Sequence, residues 1–375
     1  MLEAKYKKIK HAIKSKILEG LINPHEKISS ESELMKKFSV SRHTVRLAIG
    51  ELVNEGWLYR EQGAGTFCAD RANIESNKRT NKTQKNIAIV TTFISEYIFP
   101  SIIRGAESYL SENGYHVSIF NTHNEYEKER QILTTLLTGN YDGVIIEPTN
   151  SASANPNLNY YLQLENMNKP FVMINAVYDE LEPISFMLDD VQGGFLQTEH
   201  LIQLGHQNIV CMHKTDDSQG QKRLKGYIKA HRKYNVPIDP KNIVTYNTLD
   251  EMTKPVEELE KILSRKINCP TGLVGYNDQL ILNVMQIIRD KDLSVPKDIS
   301  VVGYDDSPLA ELSEVKFTSV KHPKSQLGLD AAKAIVKMVE NQQPGKIIDI
   351  KSITYVPELN IRQSTSNFKS GLIIS

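Results

Sequence analysis

The chain has 375 residues, 45 Lys/Arg against 45 Asp/Glu, 40% hydrophobic and 24% charged residues, and three cysteines. That is longer than one ordinary domain and typical of a globular composition. No apolar run reaches the length of a spanning helix, and "MLEAKYKKIKHAIKSKILEG" has no long apolar core or cleavage signature of a signal peptide, so a cytoplasmic location without membrane attachment is expected.

The first expected element is a helix with Tyr6, Ile9, Ile13 and Ile17 as one apolar stripe and lysines on its other faces. Gly20 ends it and Pro24 follows. In "ISSESELMKKF", Ser30 followed by Glu33 is a capping-box pattern that opens a short second helix. A tight connection, Ser39 to Ser41, leads to a third helix that Ser41 can cap. Val45, Ala48, Ile49 and Leu52 form its buried face, and Gly50 either allows a close approach or costs stability. "WLYREQGAGTFCA" reads as a two-stranded hairpin with a glycine-rich tip. Residues 71–86 are polar and charged, a linker by composition.

The remaining chain alternates strands and helices. Strands are expected at 86–93, 115–120, around "YDGVIIEP", 170–175, 208–212, 243–246, 271–276 and 299–306, with helices between them. Apolar strands in this order imply parallel sheets covered by helices, best divided into two lobes. The expected architecture is multidomain: an N-terminal α+β unit at 1–70, the linker at 71–86, a two-lobed α/β region at 87–362 and a loosely packed tail at 363–375.

Neutrality hides an asymmetry. Residues 1–86 carry 17 Lys/Arg against 10 Asp/Glu, which leaves 28 against 35 for residues 87–375. The N-terminal unit therefore suits a polyanion. A helix–short turn–helix of this size can place its second helix in a major groove. Arg42 and Arg46, four residues apart, share a face, and Arg46 has the fork that matches guanine. His43 and Thr44 can read base edges or position the backbone, and the "QGAG" tip can approach a backbone or a minor groove.

No catalytic constellation appears: the chain lacks a dinucleotide or phosphate-loop glycine motif, a His-Glu-x-x-His zinc motif and a nucleophile elbow. No enzyme activity, cofactor or metal is expected. Cys68, Cys211 and Cys269 read as buried or half-buried thiols without metal spacing. His200 and His206 read as surface or capping residues, and His322 before Pro323 as a hinge or turn residue. Glu147, Asp189, Asp190, Asp305 and Asp306 lie at strand ends, where carboxylates can accept hydroxyl hydrogen bonds from a polyol. Tyr97 and Phe99, after the first strand of the second region, can cover an apolar sugar face.

The stretch "SSESELMKKFSVSRHTVRLAIGELVNEGWLYREQGAGTF" resembles the gluconate-repressor type of winged helix-turn-helix, with "ISSE" where that family often has "LPSE". The resemblance implies DNA contacts by Ser30, Arg42, Thr44, Arg46 and the Gly63–Gly65 wing, with Glu31 and His43 at positions that contact DNA in some members. Residues 87–362 resemble the effector domain of the lactose/galactose repressor family, itself similar to periplasmic sugar-binding proteins. The landmarks are "DSQGQKRLKGY", "GYNDQL" and "ISVVGYDDSPLAEL". This second resemblance implies sugar contacts by Arg223, Asn277 and Asp305. At the end of the fourth strand, where that family often has Asp, this chain has Asn175. The combination is similar to the L-arabinose repressors of Gram-positive bacteria. It implies a homodimer on double-stranded, near-palindromic operator DNA, released by L-arabinose. The alternatives are another pentose, a hexose or a nucleoside as effector, or a ligand acting as corepressor.

Overall fold

A computed structural model describes residues 2–61, 64–70, 85–94, 97–341 and 350–368. The chain divides into two compact units. One comprises residues 1–86, 130–142 and 156–170, the other 87–129, 143–155 and 171–375.

In the first unit, helix α1 (Leu2–Leu18) and helix α3 (Arg42–Asn54) share an apolar core of Ile9, Ile13, Val45, Ala48, Ile49 and Leu52. Tyr6 and Ile17 of the expected stripe are only half-buried, whereas Leu18 is buried. Lys10 Nζ ties the two helices by ion pairs of 2.6 Å to Glu51 and 2.5 Å to Glu55. Helix α2 (Glu31–Phe38) starts at the expected reciprocal cap: Ser30 Oγ accepts from Glu33 N, and the Glu33 carboxylate accepts from Ser30 N at 2.7 Å. It ends at Ser39 in a left-handed conformation, and Ser41 then caps α3. Strands β1 (Leu58–Glu61) and β2 (Gly65–Cys68) pair antiparallel with Leu58 opposite Cys68 and Glu61 opposite Gly65. Residues 25–28 add a third run beside β2: Ile28 N donates to Thr66 O, and Cys68 N to Glu26 O. A Cβ at Gly50 would meet nothing within 4 Å, so this glycine serves no close approach among the described residues of the chain.

Also in this unit are most of α5 (Tyr126–Thr138) and all of α6 (Leu158–Asn166). The buried Lys169 donates to the carbonyls of Leu136 and Gly139, both at 2.8 Å, where α5 ends.

The second unit holds two six-stranded sheets. The elements run β3 (Lys85–Thr91), α4 (Phe99–Glu112), β4 (Tyr115–Asn121), β5 (Gly143–Ile146), β6 (Phe171–Ile174) and β7 (Ser185–Leu188) in the first lobe. The second lobe has α7 (Asp190–Gln203), β8 (Ile209–Lys214), α8 (Ser218–Lys233), β9 (Ile243–Tyr246), α9 (Lys254–Leu263) and β10 (Gly272–Val274). It continues with α10 (Asp278–Asp290), β11 (Ser300–Asp305), α11 (Pro308–Leu312) and β12 (Thr318–Lys321). The chain then returns to the first lobe with α12 (Lys324–Glu340) and β13 (Ile353–Tyr355), and crosses again to β14 (Leu359–Asn360). The sheet orders are β13-β7-β6-β5-β3-β4 and β14-β12-β11-β10-β8-β9, with β14 antiparallel to β12. Three crossings, at 188–190, 321–324 and 355–359, therefore join the lobes.

Strand side chains Ile87, Ile89, Ile145 and Val172 pack with Ile102 and Leu110 of α4 and Leu327 and Ile335 of α12 in the first core. Val210, Met212, Leu273 and Val301 pack with Leu280, Ile281 and Val284 of α10 in the second. Helices α7 and α8 approach closely because Gly194 and Gly226 lack side chains. A Cβ on Gly194 would stand 2.2 Å from Arg223 O, and one on Gly226 2.2 Å from Val191 O.

Several expectations change. The tail is not loose over 363–368: Ser364 is fully buried, its carbonyl accepts from Val301 N and its Oγ from Thr318 N, both at 2.8 Å. His206 is buried, between Thr271 Oγ1 and Ser366 O, instead of lying on the surface. Cys269 is exposed, while Cys68 and Cys211 are buried. Burial pushes the Cys211 thiol up to about 12. No described helix is long and apolar enough to cross a membrane.

Candidate functional site

The first candidate surface starts from Glu31, in the opening turn of α2. Its carboxylate accepts from Arg46 Nε at 3.0 Å to each oxygen and lies 3.8 Å from Arg42 Nε. The Nη donors of both arginines are left for other partners, and their side chains are 60% and 62% exposed. His43 beside them is exposed as well. Thr44 departs from expectation. It is 4% exposed, and its hydroxyl pairs with Ser41 Oγ at 2.9 Å, so it secures the start of α3 instead of joining the open edge. Gly65 has φ 131°, and a Cβ there would stand 2.6 Å from Lys27 Cε. The positive φ favours glycine at this point of the wing, whereas the lysine side chain could move aside. Gly63 lies outside the described residues. Lys27, which bridges to Phe67 and lays its side chain along Gly65, is a cation that sequence reading passed over.

The second candidate is a cavity of about 430 Å³ within the two-lobed unit. The close approach of α7 and α8 sets Arg223 against Asp190, with Nε donating to Asp190 Oδ1 at 2.8 Å. Its Nη1 donates to Tyr276 O at 2.6 Å, and Asp305 Oδ1 is 3.6 Å from Nη2. The guanidinium lies 3.5 Å from the Tyr304 ring centroid and 4.6 Å from that of Tyr276. Burial disfavours the charge on Arg223, but Asp190 and Asp305 outweigh it and hold the pKa well above the usual value. Burial pushes the carboxyls of Asp190 and Asp305 up, and Arg223 opposes the rise.

On the other wall, Glu147 accepts from Thr92 N and Oγ1 and from Asn175 Nδ2. Asn175 Oδ1 in turn meets His322 Nε2 at 3.2 Å. Burial raises the Glu147 carboxyl, with the Thr92 and Asn175 hydrogen bonds opposing it. Burial, then Lys324 and Arg223, bring His322 down to about 3. Neutral His322 donates from Nε2, which leaves Nδ1 as an acceptor. Asp305 Oδ1, Gln219 Oε1 and His322 Nδ1 are buried in the cavity wall without a hydrogen-bond partner. Buried acceptors of this kind suit hydroxyl donors. Lys214, 7% exposed, adds an ammonium paired to Glu251 at 3.3 Å. Among the described residues no cluster of His, Cys, Asp and Glu has metal-holding geometry.

Residues 5–68 match the model for bacterial regulatory proteins of the gntR family, and residues 198–365 match that for the periplasmic binding protein-like domain. The chain is 54% identical over 370 residues to the arabinose metabolism transcriptional repressor of Halalkalibacterium halodurans, covering 98% of each chain. The chain belongs to the arabinose-repressor family. With the repressor of the same name from Geobacillus stearothermophilus it shares 46% identity over 362 residues, 96% of this chain and 97% of that one. It is a sugar-responsive, DNA-binding transcriptional repressor, not an enzyme.

Solved structures agree on the fold of its sensor. A LacI family transcriptional regulator from Enterococcus faecium, with bound ribose, superposes at TM-score 0.64 with 23% identity over 76% of this chain and all of that one. A putative transcription regulator from Staphylococcus saprophyticus gives 0.65 with 21% identity, over 76% of this chain and 99% of that one.

All seven sensor residues singled out from the repressor's sequence, Tyr97, Phe99, Glu147, Asn175, Arg223, Asn277 and Asp305, line the one cavity. Their environments differ. Asn175 is spanned between Glu147 and His322, Asn277 caps α10 by accepting from Leu280 N, and Phe99 packs against Phe93 in the first core. Sequence reading missed Lys214, Gln219 and Tyr276, and gave Asp190 and His322 only general roles. Asp190 follows directly on Asp189, the N-cap of α7, and only the crossing between lobes shows that it faces Arg223.

Proposed function

We propose that the repressor binds operator DNA as a homodimer in the cytoplasm and releases it when L-arabinose occupies the 430 Å³ cavity. The observation that carries this is the buried Arg223 fork between Asp190 and Asp305, stacked on Tyr304, in a cavity whose wall also holds the buried acceptors Gln219 Oε1 and His322 Nδ1 without hydrogen-bond partners. Such a wall recognises several hydroxyls by donors and acceptors in fixed directions. The likeness to repressors of arabinose metabolism supports L-arabinose as the sugar. Arg223, Asp305, Asn277 and Glu147 form its polar contacts, with Lys214, Gln219 and His322 added, Asn175 holds Glu147 and His322 in place, and Tyr97 and Phe99 close the cavity.

In the reader, Arg42, His43 and Arg46 meet base edges and phosphate. Ser30, Glu31 and Thr44 shape that surface, and the wing at Gly65 approaches the DNA beside it. Residues 71–86 join the reader to the sensor and carry the coupling between them. Two readers on a two-fold axis match a near-palindromic operator. The sugar shifts the equilibrium by its different affinity for the two states of the sensor. Calorimetry against a panel of pentoses, hexoses and nucleosides, paired with operator release, tests this. Tight binding of a nucleoside in place of any sugar overturns it, and operator affinity that rises with L-arabinose reverses its sign.

A further inference from the structure

Each of two second-lobe helices presents its first free amide to a hydroxyl from the first lobe. Helix α8, which carries Arg223, is capped by Asp217, whose Oδ1 accepts from Gly220 N at 2.7 Å. Its first amide, Ser218 N, is left over by that cap and donates across the cleft to Ser151 Oγ at 3.0 Å. Helix α10 repeats the arrangement. Asn277 caps it through Leu280 N, and the remaining Asp278 N donates to Tyr97 Oη at 3.0 Å. Tyr97 Oη in turn donates to Tyr304 O at 2.8 Å. The amides that open a helix have no intrahelical partner and take one from outside.

Beside them, Asn124 ties the lobes without an atom to spare. Its Oδ1 accepts from Asn150 N at 2.7 Å, and its Nδ2 faces Thr248 Oγ1 at 3.0 Å and Asp216 Oδ2 at 3.4 Å. Asn150 Nδ2 returns a hydrogen bond to Asn124 O. Tyr97, His123, Asn124 and Asn150 all have positive φ, between 45° and 62°. The loops that hold out these side chains thus adopt backbone that non-glycine residues seldom take. Although Asn124 lines the cavity, its donors and acceptor are consumed by protein.

We infer that Asn124 and Ser151 are positioning residues for the sugar response: they latch the cleft by completing, from the first lobe, the polar surface that the second lobe leaves open at α8 and the 216–248 pair. They act on the closed state, so they set how long the sugar stays and how much of it is needed, without touching it. This rests on the proposed binding of sugar in the cavity, while the latch is read from the contacts of Asn124 and Ser151 alone.

The test uses the full chain with S151A, N124A and S151T. Loss of one closed-state hydrogen bond raises the L-arabinose dissociation rate about threefold to tenfold and leaves association unchanged. The operator-release midpoint moves by the same factor, with full release at saturating sugar. Site-resolved hydrogen exchange at Ser218 N is faster in S151A than in wild type without any sugar, and S151T restores it. A merely structural role would instead lower the unfolding midpoint and leave the rate split absent. Equal Ser218 exchange in wild type and S151A overturns the latch whatever the sugar does. If wild type binds no L-arabinose, the effector reading fails and the Ser218 comparison still decides the latch.

Discussion

Asp190 Oδ1 accepts the Nε–H of Arg223 at 2.8 Å, with both side chains buried and Asp305 3.6 Å from the same guanidinium. The fork is held in place by a carboxylate that has no water to fall back on. Lysine keeps the charge but lacks the fork and the stack on Tyr304. R223K therefore loses L-arabinose affinity by at least about a hundredfold, two charge-assisted contacts at ~1.5–3 kcal/mol each, while operator affinity stays within about twofold. Calorimetry and fluorescence anisotropy on the same preparation check both halves. Equal loss of sugar and operator binding in a folded variant would place Arg223 outside a dedicated sugar site.

Arg46 is the corresponding residue of the reader. Glu31 holds its Nε and leaves its terminal donors exposed. R46A should cost operator binding about 1–3 kcal/mol and narrow the gap between operator and random duplex. Sugar binding should be unchanged. A uniform loss on both duplexes would make Arg46 a phosphate contact instead of a base reader.

Lys27 has the opposite signature. It lies along the wing at Gly65 and suits a phosphate. K27A should weaken operator and random duplex alike and reduce the slope of log K against log salt by about 0.9. An unchanged slope would remove Lys27 from the DNA surface.

How much of this was legible beforehand follows from residue position. Arg223, Asn277 and Asp305 stand at fixed places in local motifs, one in the helix that "DSQGQ" caps and opens, one at a helix start and one at a strand end. Their arrival at one cavity needs only the alternating pattern of strands and helices. Asp190 and His322 sit on segments that cross between lobes, and a crossing has no local signature. Tyr304 belongs to an apolar strand, "SVVGYD", and its ring reads as core until Arg223 is seen against it. Strands β7, β12, β13 and β14 are two to four residues long, too short for periodicity to show. Thr44 and Asn175 looked available because nothing in the sequence reveals a neighbour that has already taken the side chain.

His322 gives a pH test. Burial brings it from the ordinary 6.5 down to about 3 in the folded chain. Between these values the unfolded chain takes up a proton that the folded chain refuses. The histidine's contribution to stability is therefore complete above 6.5 and is lost as pH falls toward 3. From about pH 7.5 to about pH 4.5 the loss amounts to roughly 2–3 kcal/mol. H322Q has no such group, so the stability difference between wild type and H322Q should shrink by that amount over the interval. Urea unfolding at several pH values measures it. A constant difference would mean that His322 is protonated freely in the folded chain.

Gly50 tests the reader's stability separately from its recognition. It sits inside α3 with ordinary helical backbone, and a Cβ there would meet no atom within 4 Å. Glycine in a helix interior costs about 0.5–1 kcal/mol relative to alanine, because the unfolded chain has more freedom to lose. G50A should raise stability by that amount when the unfolding of the N-terminal unit is followed through Trp57, the sole tryptophan of the chain and buried in that unit. Operator affinity should hold if the glycine is only a local weakness of the helix. If G50A stabilises the unit but weakens operator binding tenfold, the DNA backbone passes close over this turn of α3, and the open space at Gly50 is a requirement of the complex and not of the fold.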